Sequence, residues 1–181
     1  MLFFLIVLTT LISTGETLMK PDLISGASGT RSPNDWVGKK APEISQGEWI
    51  NSKPLKLAEL RGQVVMLEFW TFGCWNCRNT LPFVKTWHKK YSGERFAIIG
   101  IHTPEFESEK NLSKVRSQVS ELGIQYPVVT DNDSKTWDSY EQMYWPVLYL
   151  IDKKGVIRYV HIGEGEYEQT EEWIKKLLRD S

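Results

Sequence analysis

The sequence contains two cysteines, and they stand three positions apart in Cys74-Trp75-Asn76-Cys77. Random placement gives that spacing only about one time in a hundred. An apolar run and a Thr71-Phe72-Gly73 turn precede the pair, so it opens a helix immediately after a strand. At a helix start, Cys-x-x-Cys brings both sulfurs within disulfide reach. The first lies among free backbone N–H groups at the positive end of the helix dipole, which favours a thiolate. Cys74 therefore reads as a nucleophile with a lowered pKa.

Other residues could serve the same chemistry. Glu68 is a carboxylate inside an apolar strand, six residues before Cys74. Burial pushes a carboxyl pKa toward neutrality, as required of a group that exchanges protons with a buried thiol. Trp145-Pro146 precedes another apolar run; a cis bond there exposes the backbone of residue 145 for pairing with an extended substrate, whereas a trans proline simply starts a strand. The three histidines, His88, His102 and His161, show no metal-ligand spacing. His102, at the end of a predicted central strand, is the best placed of them, and with Cys74 and Cys77 it leaves a copper or zinc carrier as an alternative. Asp131-Asn132-Asp133 lacks the glycine and distal glutamate of a calcium loop.

These residues need elements to position them. Gln63 to Phe69, Arg95 to His102 and Val147 to Asp152 are apolar runs of strand length, as expected for central strands covered on both faces. Glu48-Trp49-Ile50-Asn51 and Leu55-Lys56-Leu57 have the alternation of an edge hairpin, and Tyr126 to Asp131 gives one more short strand. Helices are predicted from Cys74 to Tyr91 with Pro82 inside, from Ser108 to Leu122 up to Gly123, and from Gln169 to Arg179, with a helix or helical turn from Ser134 to Met143. The turn Lys153-Lys154-Gly155 joins the Val147 strand to residues 155–163 as a hairpin. Strands alternating with helices and ending in a hairpin and helix describe a three-layer α/β sandwich.

With 181 residues, 41% of them hydrophobic, the chain can bury one core of ordinary size. Lys plus Arg (22) nearly balance Asp plus Glu (23), so net charge gives no argument for nucleic acid or an anionic surface. Leu2 to Ile12 is an apolar run broken only by Thr9 and Thr10, shorter than the roughly twenty residues of a membrane span. It reads as a signal peptide or N-terminal anchor, although no Lys or Arg precedes it, and the Gly, Ser, Thr and Pro that follow read as a flexible tether. The expected organisation is a leader and tether over residues 1–33 and one domain over 34–181. Export would place the cysteine pair where it can cycle between dithiol and disulfide.

Taken together, the strand, Trp70-Thr71-Phe72-Gly73-Cys74-Trp75-Asn76-Cys77, Pro82 and Trp145-Pro146 resemble the thioredoxin superfamily, in its TlpA/ResA-like extracytoplasmic branch. More narrowly, Gly100-Ile101-His102-Thr103-Pro104-Glu105-Phe106 and Gly163-Glu164-Gly165 with Tyr167 resemble the soluble domain of DipZ-type membrane electron carriers. The resemblance implies a thioredoxin-like sandwich with an N-terminal hairpin and a central strand-helix insertion. It implies Cys74, Cys77 and Glu68 as catalytic residues, Trp70, Trp75, Trp145 and Pro146 as substrate contacts, no metal, and no cofactor beyond a redox-active Cys74–Cys77 disulfide.

The implied protein is a monomer outside the cytoplasm that reduces disulfide-containing proteins. No multi-span segment accompanies the domain, so its electrons are expected from a separate membrane donor of the CcdA/DsbD kind. Two departures bear on direction. Trp75-Asn76 replaces the Gly-Pro of cytosolic thioredoxins, and Thr80 stands where many ResA-like proteins carry glutamate. An oxidase or isomerase therefore stays open, as does a thiol peroxidase, because Thr71 stands three residues before Cys74.

Overall fold

The computed structural model describes residues 33–180 except residue 94. The predicted leader, Leu2 to Ile12, and the tether up to residue 32 lie outside the described residues. Six strands form one mixed sheet in the order β1-β4-β3-β2-β5-β6: β1 (Trp49–Ile50), β2 (Val64–Trp70), β3 (Phe96–His102), β4 (Val128–Thr130), β5 (Val147–Ile151) and β6 (Ile157–Ile162). Strands β2, β3 and β4 run parallel, and β5 returns antiparallel beside β2. Consequently the ends of β2 and β3 and the start of β5 meet at one sheet edge. Central β2 is buried at every position, which explains its nearly uninterrupted apolar sequence.

Period-2 alternation divides the β2 side chains between two cores. Val64, Met66 and Trp70 pack toward α1 (Trp75–Tyr91), α2 (Leu112–Glu121) and α4 (Tyr167–Arg179), through Leu81 and Val84, Val115 and Val119, and Ile174 and Leu177. Val65, Leu67 and Phe69 face the opposite layer, made by the N-terminal segment with Trp36, Ile44 and Leu57, and by the chain around α3 (Lys135–Ser139) with Trp137 and Tyr140. The same alternation sends Glu68 toward α1. On α1, Cys77, Leu81, Val84, Trp87 and Tyr91 recur at helical spacing and are buried, while Pro82 lies on the exposed side.

Three elements differ from the sequence expectation. The N-terminal hairpin does not form: β1 pairs with β4, Trp49 against Val129 and Ile50 against Val128. Asn51, at φ 67°, turns the chain out of the strand, and its Nδ2 donates to the carbonyls of Ile124 and Tyr126. Leu57 instead opens a 3-10 turn, Leu57–Leu60, whose first N–H groups donate to the Glu43 carboxylate at 2.6 and 3.2 Å. The helix expected over residues 108–122 is split by Asn111, whose extended backbone (φ −69°, ψ 109°) ends a 3-10 turn, Glu107–Lys110, while its Oδ1 accepts the Lys114 N–H and caps α2. Of the helix or helical turn expected from Ser134 to Met143, the structure forms the short one, the five residues of α3.

Candidate active site

The sheet edge at the end of β2 carries the cysteine pair. The Cys74 N–H donates to the Thr71 carbonyl at 3.3 Å, closing the turn, and Cys74 caps α1, its Sγ accepting the Cys77 N–H at 3.2 Å. Arg78, one turn into the helix, donates Nε–H to the Phe72 carbonyl at 2.9 Å and so braces the turn.

The two thiols, both free, sit in unlike surroundings. Cys74 is half-buried and its pKa is lowered to about 7, chiefly by the hydrogen bond from the Cys77 thiol, with backbone N–H groups adding to it against the Glu105 charge. Cys77 is 0% exposed, and burial pushes its thiol strongly upward, with the bond to Cys74 in the same direction. One sulfur is accessible and easily ionised; the other holds its proton until something removes it.

Glu68 stands on the α1 side of β2, 0% exposed. Its Oε2 accepts the Tyr126 O–H at 2.6 Å, while Oε1 has no hydrogen-bond partner. Burial raises its pKa to about 7, opposed by the Tyr126 bond. Its charge also acts on Cys77, raising that thiol further. A carboxyl group near half-ionisation thus shares a water-poor interior with the thiol that must lose a proton.

The Trp145-Pro146 bond is cis. Pro146 is buried at the start of β5, and the half-buried Trp145 packs its ring on Trp137, centroids 4.1 Å apart. Trp75, between the cysteines, is 72% exposed and free to meet a partner. Trp70 departs from expectation: it is wholly buried against Gly100, where an added Cβ would come within 2.9 Å of the indole nitrogen. It supports the site from beneath and offers no surface to a substrate.

His102 is buried at the end of β3, its Nε2 3.3 Å from the Thr71 hydroxyl and its ring stacked on Phe72. Burial lowers its pKa to about 4, against the pull of the Glu109 charge, so the ring is neutral at pH 7. Among the described residues no three His, Cys, Asp or Glu side chains are grouped so as to hold a metal ion. The Thr71 hydroxyl, on which the peroxidase alternative rests, hydrogen-bonds with His102.

Two residues of the site are absent from the sequence reading. Tyr126, the partner of Glu68, looked like the start of a strand. Glu109, placed by the sequence in the first turn of the helix expected from Ser108, is buried in a 3-10 turn instead. Tyr126 arrives through the sheet order, and Glu109 through contacts with the Glu105 and Phe106 amides and with Gly73.

The AhpC/TSA family model matches residues 37–160. Protein DipZ of Mycobacterium tuberculosis is 42% identical over 136 residues, which cover 74% of this chain but 20% of DipZ. The chain thus spans about a fifth of the length of that relative. The thiol-disulfide oxidoreductase ResA of Bacillus thuringiensis is 30% identical over 141 residues, 78% of each chain. The crystal structure of a thiol-disulfide isomerase from Corynebacterium glutamicum superimposes with a TM-score of 0.69 at 26% identity, covering 78% of this chain and 98% of that one. The chain belongs to the AhpC/TSA family and, within the thioredoxin superfamily, to its ResA-like thiol-disulfide oxidoreductases.

Proposed function

We propose that the protein reduces disulfides of exported proteins through the Cys74–Cys77 couple, working as a monomer outside the cytoplasm. The observation that carries this reading is the asymmetry of the two thiols, one accessible and held near pKa 7, the other buried beside an ionisable carboxyl.

The Cys74 thiolate attacks one sulfur of the substrate disulfide, and the other sulfur leaves as a thiolate that takes a proton from solvent. A mixed disulfide then joins Cys74 to the substrate between exposed Trp75 and the Trp145-Pro146 loop. Ionised Glu68 accepts the Cys77 proton, and the new Cys77 thiolate attacks Cys74 Sγ, expelling the second substrate thiolate. The substrate gains two electrons and the protein holds a Cys74–Cys77 disulfide. Glu68 then gives its proton to the departing thiolate or to solvent. A separate membrane dithiol donor of the CcdA/DsbD kind restores the reduced pair. The apolar run Leu2 to Ile12 and the Gly/Ser-rich stretch after it support placement outside the cytoplasm.

The direct test is turnover of disulfide-linked insulin by excess dithiothreitol, with hydrogen peroxide as the competing substrate. The expected result is insulin reduction well above the rate with dithiothreitol alone, and no catalysed loss of peroxide. Catalysed peroxide consumption without accelerated insulin reduction would overturn the reading in favour of a thiol peroxidase.

A further inference from the structure

The segment between β3 and α2 reaches the turn that carries Cys74. Glu109, in the 3-10 turn of that segment, is 3% exposed, an unusual place for a carboxylate unless it has partners. Its Oε2 accepts the N–H groups of Glu105 at 2.7 Å and Phe106 at 3.2 Å, and the Glu109 N–H donates back to the Phe106 carbonyl at 2.9 Å. Its Oε1 lies against Gly73: a Cβ there would stand 2.0 Å from that oxygen. Gly73 is not among the residues with positive φ, so side-chain space rather than backbone conformation calls for glycine at this position. Glu109 thus touches the residue before Cys74 with one oxygen and holds Glu105 with the other.

Glu105 matters because its charge acts on Cys74 and opposes the thiolate. A negative charge close to the attacking sulfur destabilises the reduced, ionised form and makes the pair a stronger reductant. The other ionisable groups packed about this turn are Cys77 and Arg78 from α1, Glu68 from β2, neutral His102 from β3 and Glu109 itself against Gly73. Arg78 is tied to the Phe72 carbonyl and to the Gln118 amide, so it does not neutralise Glu105 through either bond.

We propose that Glu109 is a positioning residue of the redox site: by binding the Glu105 and Phe106 amides while resting on Gly73, it holds the backbone of the segment that carries the Glu105 charge against the turn before Cys74. Phe106, 61% exposed, has its amide fixed by the same carboxylate. The inference rests on the reading of Cys74 as the attacking thiol, but it concerns the thiol itself and can be tested without any substrate.

The test is the rate of iodoacetamide alkylation of Cys74 against pH in the reduced protein carrying Cys77→Ser, with substitutions in that background. Glu105→Gln removes the charge and is expected to raise the rate at pH 6 about twofold, as the thiol pKa falls by about 0.3. Glu109→Ala releases the segment and is expected to do the same, whereas Glu109→Gln retains an acceptor for both amides and stays near the parent. In the Glu105→Gln background, Glu109→Ala should add nothing, since the charge it positions is gone. Hydrogen exchange at the Glu105 and Phe106 amides should quicken in Glu109→Ala and not in Glu109→Gln. If Glu109→Ala does not fold, Gly73→Ala displaces the same carboxylate from the other side and must shift alkylation in the same direction. An unchanged Cys74 profile in Glu105→Gln, or a full additional shift from Glu109→Ala in that background, overturns the proposal. Loss of insulin reduction with these profiles intact would count against the proposed function and leave Glu109 as assigned.

Discussion

Replacing Cys74 by Ser abolishes disulfide reduction, while replacing Cys77 by Ser stops the cycle one step later. The first substitution removes the only sulfur that is both accessible and held near pKa 7. Serine has the shape but neither the acidity nor the nucleophilicity, so the expected loss is about a thousandfold or more, ~4 kcal/mol of barrier. Cys77→Ser leaves the attacking thiol in place and removes the group that resolves the mixed disulfide. Substrate linked to Cys74 should accumulate and be visible as a band sensitive to reductant. Its expected yield is one substrate per protein in a single turnover, against none for Cys74→Ser. Equal trapping by both variants would mean that the roles of the two sulfurs are assigned the wrong way round, against the burial that separates them.

Glu68→Gln is expected to act on stability and on rate in opposite directions. The folded protein holds the Glu68 proton more tightly than the unfolded chain does, since its pKa is raised from 4.5 to about 7. Below the unfolded value both states are protonated and burial of this group carries no ionisation penalty. As pH rises through 7 the folded state must bury a charge, and roughly 3 kcal/mol of stability is lost relative to a neutral group. Glutamine keeps the shape and can still accept from Tyr126, so the variant should be more stable than the parent at pH 8 by about that amount, and nearly equal to it at pH 4.5. Urea denaturation at the two pH values measures the difference. The same variant cannot take the Cys77 proton, so resolution of the mixed disulfide should slow by about a hundredfold. Stability rising at pH 8 with no slowing of resolution would leave Glu68 buried and raised, but not part of the cycle.

Much of this site is local in sequence. Cys74, Cys77 and the turn before them lie within one strand-turn-helix unit, so their spacing alone places the first sulfur at a helix start. Glu68 follows from the same unit, because alternation along β2 sends it toward the helix that carries Cys77. That argument also buries Trp70, which shares its face with Glu68, and the alternation was a better guide to Trp70 than the likeness to an active-site tryptophan. What depends on distant chain is not legible. Tyr126 reaches Glu68 across 58 residues, through the pairing of β4 beside β3. Glu109 reads as a charge in the first turn of a helix, and its burial depends on the amides of Glu105 and Phe106 and on the space left at Gly73. The missing hairpin has a similar origin: a single long-range acceptor, Glu43, captures the Leu57 and Ala58 amides and turns a strand-like alternation into a 3-10 turn.

The same local unit does not set the direction of electron flow, which depends on small differences in free energy between thiolate and disulfide forms. Here the terms are mixed. The bond from Cys77 and the backbone N–H groups of the helix start favour the Cys74 thiolate, while partial burial and, less, the Glu105 charge oppose it. Glu68 raises Cys77. A net preference for the disulfide form is what a reductase requires.

The reduction potential of the Cys74–Cys77 couple tests that preference most directly. The protein is equilibrated in graded dithiol buffers, and the reduced fraction is read by alkylation. A potential at or below that of thioredoxin, about −270 mV, is the expected result. A potential near that of DsbA, about −120 mV, would contradict it and make the protein a disulfide donor, and failure to form any Cys74–Cys77 disulfide would remove the redox function altogether.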